Sequence, residues 1–292
     1  MKYLRFIHNG EEDFGILNND NTIVSFKKIF KEDVPKNFTD FIENYGTKYE
    51  KRLTDLETTG DGIKLEEVVV KSPMKEIGRG VICLGKNYRE HVKEVPSAMD
   101  LKNGVPEYPL YFFKMVNEPV GPGENIRLHK DLSTKIDYEV ELALIIGKEG
   151  KDIPAEKAEE YIFGYTILND ISARDLQTNH VQWFRGKGLD NTCPIGPYIV
   201  DKNEIKFPVE LNIKSYVNGE MRQNSNTKEF IFDIPYIISD FSKGTTLKPG
   251  DIISTGTPSG VGMGFKPEKF LKAGDEVKCC IEKIGEITNF VK

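Results

Sequence analysis

The sequence predicts a mainly β chain of the α+β class. Three observations carry that reading: short apolar runs whose members alternate with polar residues, glycine turns at Pro122-Gly123, Asn218-Gly219 and Pro249-Gly250 that separate them, and few stretches with a helical period. The texture also divides the chain in two. Residues 1–72 hold two strand patterns, Tyr3 to His8 and Phe14 to Leu17, then a polar helix-prone stretch, and are expected to form a small N-terminal α/β domain. Residues 73–292 carry the Gly-punctuated apolar runs and every chemically suggestive cluster, and are expected to form the catalytic domain.

Within the larger domain, Val81 to Gly85 reads as a strand ending in a glycine turn. The helical start that follows would place His91 and Glu94 one turn apart on a common face. The polar stretch from Val95 to Pro109, with Pro96, Gly104 and Pro106, reads as a loop able to act as a lid. Lys135 to Gly147 reads as a strand with Val140, Leu142, Leu144 and Ile146 on one face and Glu139 and Glu141 on the other. A short helix is expected near Pro154 with Asp152 as its cap, then a strand from Tyr161 to Leu168. Val209, Leu211 and Ile213 alternate with polar neighbours, and Asn218-Gly219 predicts a hairpin returning through Met221. A second helix is expected near Asp233, where Ile234, Ile237, Ile238 and Phe241 share an apolar face. Asp251 to Ser254 is a strand before a Gly-rich loop, and Cys279 and Cys280 fall in a terminal strand pattern.

A chain of 292 residues, 38% hydrophobic and 29% charged, can bury a full core. Its net charge of -6, with no Lys/Arg cluster interleaved with aromatics, argues against nucleic acid as a partner. No apolar run approaches the ~18 residues of a membrane span, and the first twelve residues lack a signal-peptide core, so a cytoplasmic location is expected. Cys83, Cys193, Cys279 and Cys280 form no metal-ligand spacing and read as small core fillers in a reducing compartment, with Cys193 close enough to the candidate site to be reactive.

Glu139 and Glu141 are the most informative pair, because two carboxylates on one strand face are costly to bury unless something positive sits between them. Asp170, at the end of the next strand-like run, supplies a third. An all-oxygen set of this kind suits Mg²⁺, Mn²⁺ or Ca²⁺ and leaves open positions for water or substrate. Taken alone, such a pair is more often a solvated strand edge, and a His-x-x-Glu is more often a surface pair.

In combination these residues resemble the fumarylacetoacetate hydrolase family. The resemblance rests on Gly85-Lys-Asn-Tyr-Arg-Glu-His91 with Glu94, Asp137-Tyr-Glu-Val-Glu-Leu142, Asn169-Asp-Ile-Ser-Ala-Arg-Asp-Leu-Gln177, Arg185-Gly-Lys-Gly-Leu-Asp-Asn-Thr-Cys-Pro194 and Thr255-Gly-Thr-Pro-Ser-Gly-Val-Gly262, in that order, across residues 76–292. It implies a mixed β-sandwich roll and a divalent metal, Mg²⁺ first, held by Glu139, Glu141 and Asp170. It further implies a His91–Glu94 dyad on a segment that orders over substrate, an active-site Lys187, substrate-side Arg174 and Gln177, a pocket-lining Thr257, and a homodimer. The opening segment resembles the small N-terminal domain of some bacterial members. Leu84 stands where fumarylacetoacetases proper carry another metal carboxylate, which turns the expectation toward acylpyruvates, oxaloacetate or hydroxylated diene-dioates.

A 2-oxo acid chelated by the ion would have its enolate stabilised there. The first expectation is therefore metal-dependent C–C bond hydrolysis of an acylpyruvate-like 2,4-dioxo acid, with His91 and Glu94 activating water and Lys187 balancing charge. Isomerisation of 2-hydroxyhepta-2,4-diene-1,7-dioate and decarboxylation of oxaloacetate are the alternatives on the same site. A non-catalytic protein whose ion only fastens strands is the remaining class, and a histidine base near the ion argues against it.

Overall fold

Successive residues of the strand Val140–Ile146 point into two different cores, and this double burial sets the architecture. The computed structural model describes residues 1–54, 62–95, 101–102 and 104–292, with the backbone alone at 101 and 102. On one side Val140, Leu142, Leu144 and Ile146 pack with Ile213, Cys279, Ile281 and Ile287 of a second sheet and with Ile234, Ile237 and Ile238 of the helix Ile234–Ser242. On the other side Ala143 and Ile145 join Phe26, Phe30, Phe41 and Tyr49 from the short N-terminal helices. The carboxylate face is thus polar only at its start and becomes core further along, which makes the run apolar on both faces as in any covered central strand.

The large sheet runs in the order Ile63–Lys64, Thr22–Ser25, Glu11–Leu17, Lys2–His8, Ile195–Asp201, Ile162–Asn169, Val140–Ile146, Ile252–Ser254, Val81–Gly85, Leu110–Lys114, with Val69–Lys71 also on Lys2–His8. It is mixed: Ile252–Ser254 runs parallel to Val81–Gly85, while its other neighbour is antiparallel. A second sheet orders Asn125–Ile126, Gly285–Val291, Glu276–Ile281, Asn212–Val217 and Glu220–Asn226. The mainly β, two-sheet architecture matches the expectation. The N-terminal strands extend the large sheet across residue 72, since Lys2 and Tyr3 pair with Val200 and Ile199. Among the described residues no helix is long and apolar enough to cross a membrane.

Local chemistry accounts for most elements. The hairpin at 212–226 turns through Asn218 and Gly219 at φ 52° and 78°, the left-handed pair that a two-residue turn requires. Asp233 caps the helix Ile234–Ser242 by accepting from Tyr236 N at 2.8 Å. Two expectations are corrected. The segment after Pro154 is a 3₁₀ helix, Ala155–Tyr161, and Asp152 does not cap it; Asp152 sits at φ 53° and accepts instead from Gly244 N. The alternation from Val209 joins a strand only at Asn212, because the Thr227 hydroxyl bonds Val209 O and Leu211 N where a ladder partner would be. Of the expected lid, residues 96–100 and 103 lie outside the described residues; Leu101–Lys102 pairs with Val105–Pro106.

Candidate active site

Strand register brings the three carboxylates together. Val140 pairs with Asn169, so Glu139 and Asp170 fall side by side: Asp170 N donates to Glu139 O at 2.9 Å and Glu139 N to Asn169 Oδ1 at 2.9 Å. Glu139, Glu141 and Asp170 each offer an oxygen within 4.8 Å of the others. All are buried, at 5%, 1% and 0% exposure, so the cluster is far from a solvated strand edge. Charges so placed persist only with partners.

The partners are Lys187, Arg174 and Lys114. Lys187 Nζ donates to Glu139 Oε2 at 2.6 Å and Asp170 Oδ2 at 2.7 Å, and lies over the Phe112 ring. Burial alone would push this lysine down, but Asp170 and Glu139 hold it above its ordinary range. Arg174 Nη1 is 2.7 Å from Glu139 Oε1, and its Nε bonds Asp137 Oδ2 at 2.8 Å. Burial raises Glu139, and Lys187 and Arg174 outweigh it and hold the group at about 2. Glu141 has no cation of its own. Ser254 Oγ at 2.5 Å and Gly256 N at 3.0 Å donate to it, while burial, Asp170 and Glu139 push it well above the usual carboxylate range.

With all four acids ionised the cluster is one positive charge short, Asp137, Glu139, Glu141 and Asp170 being buried against Lys114, Arg174 and Lys187, and burial together with this imbalance pushes Glu141 up. Asp170 Oδ1 pairs with Lys114 Nζ at 3.0 Å as an ion pair only, while that ammonium donates hydrogen bonds to Ile171 O and Lys187 O. A buried Asp170 oxygen with no hydrogen bond, a Glu141 with no cation of its own and an all-oxygen donor set fit a hard divalent cation.

His91 and Glu94 share the helix Arg89–Glu94, with His91 Nδ1 3.2 Å from Glu94 Oε2. An ionised carboxylate only accepts, so we assign the proton to Nδ1, which leaves Nε2 of a neutral imidazole as a base. Glu94 Oε1 accepts from Gly260 N at 2.8 Å, and a Cβ on Gly264 would run into the Glu94 carboxylate, so the 260–264 loop closes around this side chain.

His91, Glu139, Glu141, Arg174, Gln177, Lys187 and Thr257 all line one cavity of about 510 Å³. Glu94 and Asp170 are off its wall, Glu94 in contact with the lining His91 and Asp170 with the lining Lys187. Leu84, Phe112 and Trp183 form an apolar flank. The Thr257 hydroxyl is engaged, donating to Val140 O and accepting from Gln223 Nε2, and so shapes the wall. Sequence reasoning missed Lys114 and Gln223, and gave no role to Asp137 or Asn169. A lysine inside the apolar strand Leu110–Lys114 was the one usable signal. Asp175 accepts from Ser133 Oγ and Thr134 N. Cys193 is buried, and burial pushes its thiol up to about 12, which removes it as a reactive group.

The family model for the fumarylacetoacetate (FAA) hydrolase C-terminal region matches residues 80–292. Oxaloacetate tautomerase YisK of Bacillus subtilis (strain 168) is 47% identical over 225 residues, 77% of this chain and 73% of that protein. The structure of a fumarylacetoacetate hydrolase from Exiguobacterium antarcticum superposes with a TM-score of 0.83 at 38% identity, over 100% of this chain and 99% of that one. Maleylpyruvate hydrolase from Sphingobium sp. SYK-6, solved with manganese(II) and pyruvate, superposes with a TM-score of 0.76 at 27% identity, over 100% and 98%.

Proposed function

The chain belongs to the fumarylacetoacetate hydrolase family, and on that premise we propose that it is a divalent-metal-dependent enzyme that moves a proton on a 2-oxo acid, interconverting keto and enol forms of an oxaloacetate-like substrate. The observation that carries the reading is that His91, bonded to Glu94, lines the same cavity as Glu139 and Glu141 of the carboxylate cluster. A purely structural ion would need no such base. The 47% identical tautomerase supports proton transfer as the reaction type.

Glu139, Glu141 and Asp170 would hold the cation, Mg²⁺ or Mn²⁺, which supplies Lewis-acid polarisation of the keto oxygen when bound. Adding a divalent charge to a cluster one charge short leaves it net positive, which suits an anionic substrate. Arg174 Nη2, buried without a partner on a cavity-lining side chain, is the donor left for the substrate carboxylate. His91 Nε2 takes the proton at C3 or at the 2-oxygen and returns it at the other, while Glu94 keeps Nδ1 protonated. Lys187 keeps its charge beside the developing oxyanion, and the Leu84, Phe112 and Trp183 flank keeps bulk water from the carbon acid.

C–C hydrolysis of an acylpyruvate is the second reading, favoured by the likeness to a maleylpyruvate hydrolase solved with pyruvate. It asks His91 to activate water. The test is a substrate panel of enol oxaloacetate, an acylpyruvate and a hydroxyhepta-diene-dioate, each with Mg²⁺, Mn²⁺ or chelator. Ketonisation of oxaloacetate that disappears with chelator supports the proposal. Acylpyruvate cleavage with no effect on the tautomers would replace it with the hydrolase, and loss of carbon dioxide from oxaloacetate would replace it with a decarboxylase.

A further inference from the structure

We propose that Asp137 is a positioning residue that fixes the substrate-side guanidinium and the base-orienting carboxylate as one unit, an inference that rests on the proton-transfer reading above. Asp137 is fully buried and its carboxylate accepts four hydrogen bonds. Oδ2 takes Arg174 Nε at 2.8 Å and Met263 N at 3.0 Å; Oδ1 takes Gly262 N at 2.7 Å and Tyr138 N at 2.9 Å. That is about the full capacity of one carboxylate.

Each side of this hub leads to a functional group. With Nε on Asp137 and Nη1 on Glu139 and Gln177, the planar Arg174 fork has one orientation, and Nη2 is the group left for a ligand. Gly262 and Met263 anchor the loop whose Gly260 N holds Glu94 Oε1, and Glu94 Oε2 in turn meets His91 Nδ1. Tyr138 closes the same loop from the next position, its hydroxyl donating to Gly260 O at 3.0 Å. The close approach requires glycine. A Cβ on Gly262 would crowd Asp137 Oδ1 and Lys269 O, and one on Gly260, at φ 104°, would strike Arg222 O. Residues 137 and 138 therefore set the distance between the anion receptor and the base.

Asp137→Asn tests this, because the amide keeps the shape but must turn its NH₂ toward either Arg174 Nε and Met263 N or Gly262 N and Tyr138 N, donor against donor. Oxalate binding is read by fluorescence of Trp183, the chain's one tryptophan, which lies on the cavity wall, in Mg²⁺-loaded protein. The expected result is oxalate affinity weakened ~10-fold, kcat reduced ~10²-fold, and a displaced acid limb of the pH–rate profile. Tyr138→Phe leaves Asp137 and Arg174 untouched and removes the hydroxyl's bond to Gly260 O, together with a long one, 3.5 Å, from Arg222 Nη1. It should move kcat and the acid limb while oxalate affinity stays within ~2-fold, a split that a general loss of stability does not produce. Asp137→Asn with wild-type affinity and kcat, or with a lower melting temperature and unchanged kinetics, would overturn the assignment. So would a Tyr138→Phe enzyme with wild-type kinetics, should the asparagine variant fail to fold. A wild-type protein that neither binds oxalate nor turns over any 2-oxo acid would overturn the functional reading, and this inference with it.

Discussion

The ammonium of Lys187 lies 2.6 Å from Glu139 Oε2 with both side chains buried, so this pair is an internal counter-charge of the site rather than a surface contact. Removing one member of such a pair strands the other in a dry environment, at a cost of ~3–5 kcal/mol. Lys187→Met is therefore expected to lose activity and to unfold at markedly lower urea in chelator, with Mg²⁺ recovering part of the loss. An unchanged urea midpoint in chelator would show that Glu139 and Asp170 do not depend on Lys187.

The missing positive charge gives a contrasting result at Glu141. Glu139→Ala and Asp170→Ala should abolish metal-dependent activity and also unbalance Lys187. Glu141→Gln instead removes the carboxylate that has no cation, so the metal-free variant should be at least as stable as wild type while losing its response to Mg²⁺. For wild type, Mg²⁺ at ~100 times its Kd should add ~2.7 kcal/mol. Thermal unfolding with and without Mg²⁺ checks both. A Glu141→Gln protein stabilised by Mg²⁺ as strongly as wild type would remove Glu141 from the ligand set.

How much of this was legible follows from where each constraint resides. The pairing of Glu139 with Glu141 depends on strand alternation, a local property, and the asparagine–glycine hairpin at 218–219 depends on backbone chemistry at two residues. Both could be read from sequence. Asp170 stands out in sequence at the end of the next strand-like run, but its place beside Glu139 depends on the register of two strands, which periodicity does not give. Lys114 and Asp137 were beyond reach for a different reason. Their partners, Asp170, Lys187, Arg174 and Gly262, lie tens of residues away or more, and no spacing rule links them. The N-terminal segment read as polar because Lys and Glu surround its aromatic residues. Its core of Phe26, Phe30, Phe38, Phe41 and Tyr49 emerges only when three short helices stack on the sheet.

The cysteines should be silent in chemistry at neutral pH. Burial pushes Cys193 up to about 12, and burial followed by Glu286 pushes the half-buried Cys280 up to about 11. The thiolate, which is the reactive form, therefore appears only as pH rises toward those values. Iodoacetamide at pH 8 should leave activity intact and modify Cys280 slowly, faster at pH 10. Rapid loss of activity at pH 8 would contradict this.

A homodimer is expected, and one face of the chain gives it a physical reason. The strand Leu110–Lys114 ends the large sheet among the described residues, with Phe113 exposed at 40% and stacked on Phe184, itself 44% exposed, and with Met115, the next residue after the strand, exposed at 52%. An apolar sheet edge of this kind invites another chain. Sedimentation at micromolar concentration should give twice the 33.1 kDa chain mass, and Phe113→Glu with Phe184→Glu should shift it toward monomer. A wild-type mass near 33.1 kDa would refute the expectation.

Proton abstraction requires His91 unprotonated, so the rate should fall as pH falls and the imidazole takes up a proton at Nε2. His91→Ala should lower kcat ~10²-fold or more with Mg²⁺ binding retained, because His91 touches Glu94 and not the carboxylate cluster through any hydrogen bond. Glu94→Gln is more discriminating. Glu94 accepts from His91 Nδ1 on one oxygen and from Gly260 N on the other, and a glutamine can accept from only one of them. If its NH₂ faces Nδ1, the proton is driven to Nε2 and the base is lost; if it faces Gly260, two donors oppose and the loop is displaced. Either way kcat falls without a matching loss of metal affinity. Decarboxylation, which needs no base at this position, should suffer much less. An enzyme carrying His91→Ala that ketonises oxaloacetate at the wild-type rate would take the dyad out of the mechanism and leave Lys187 and the cation to account for the chemistry.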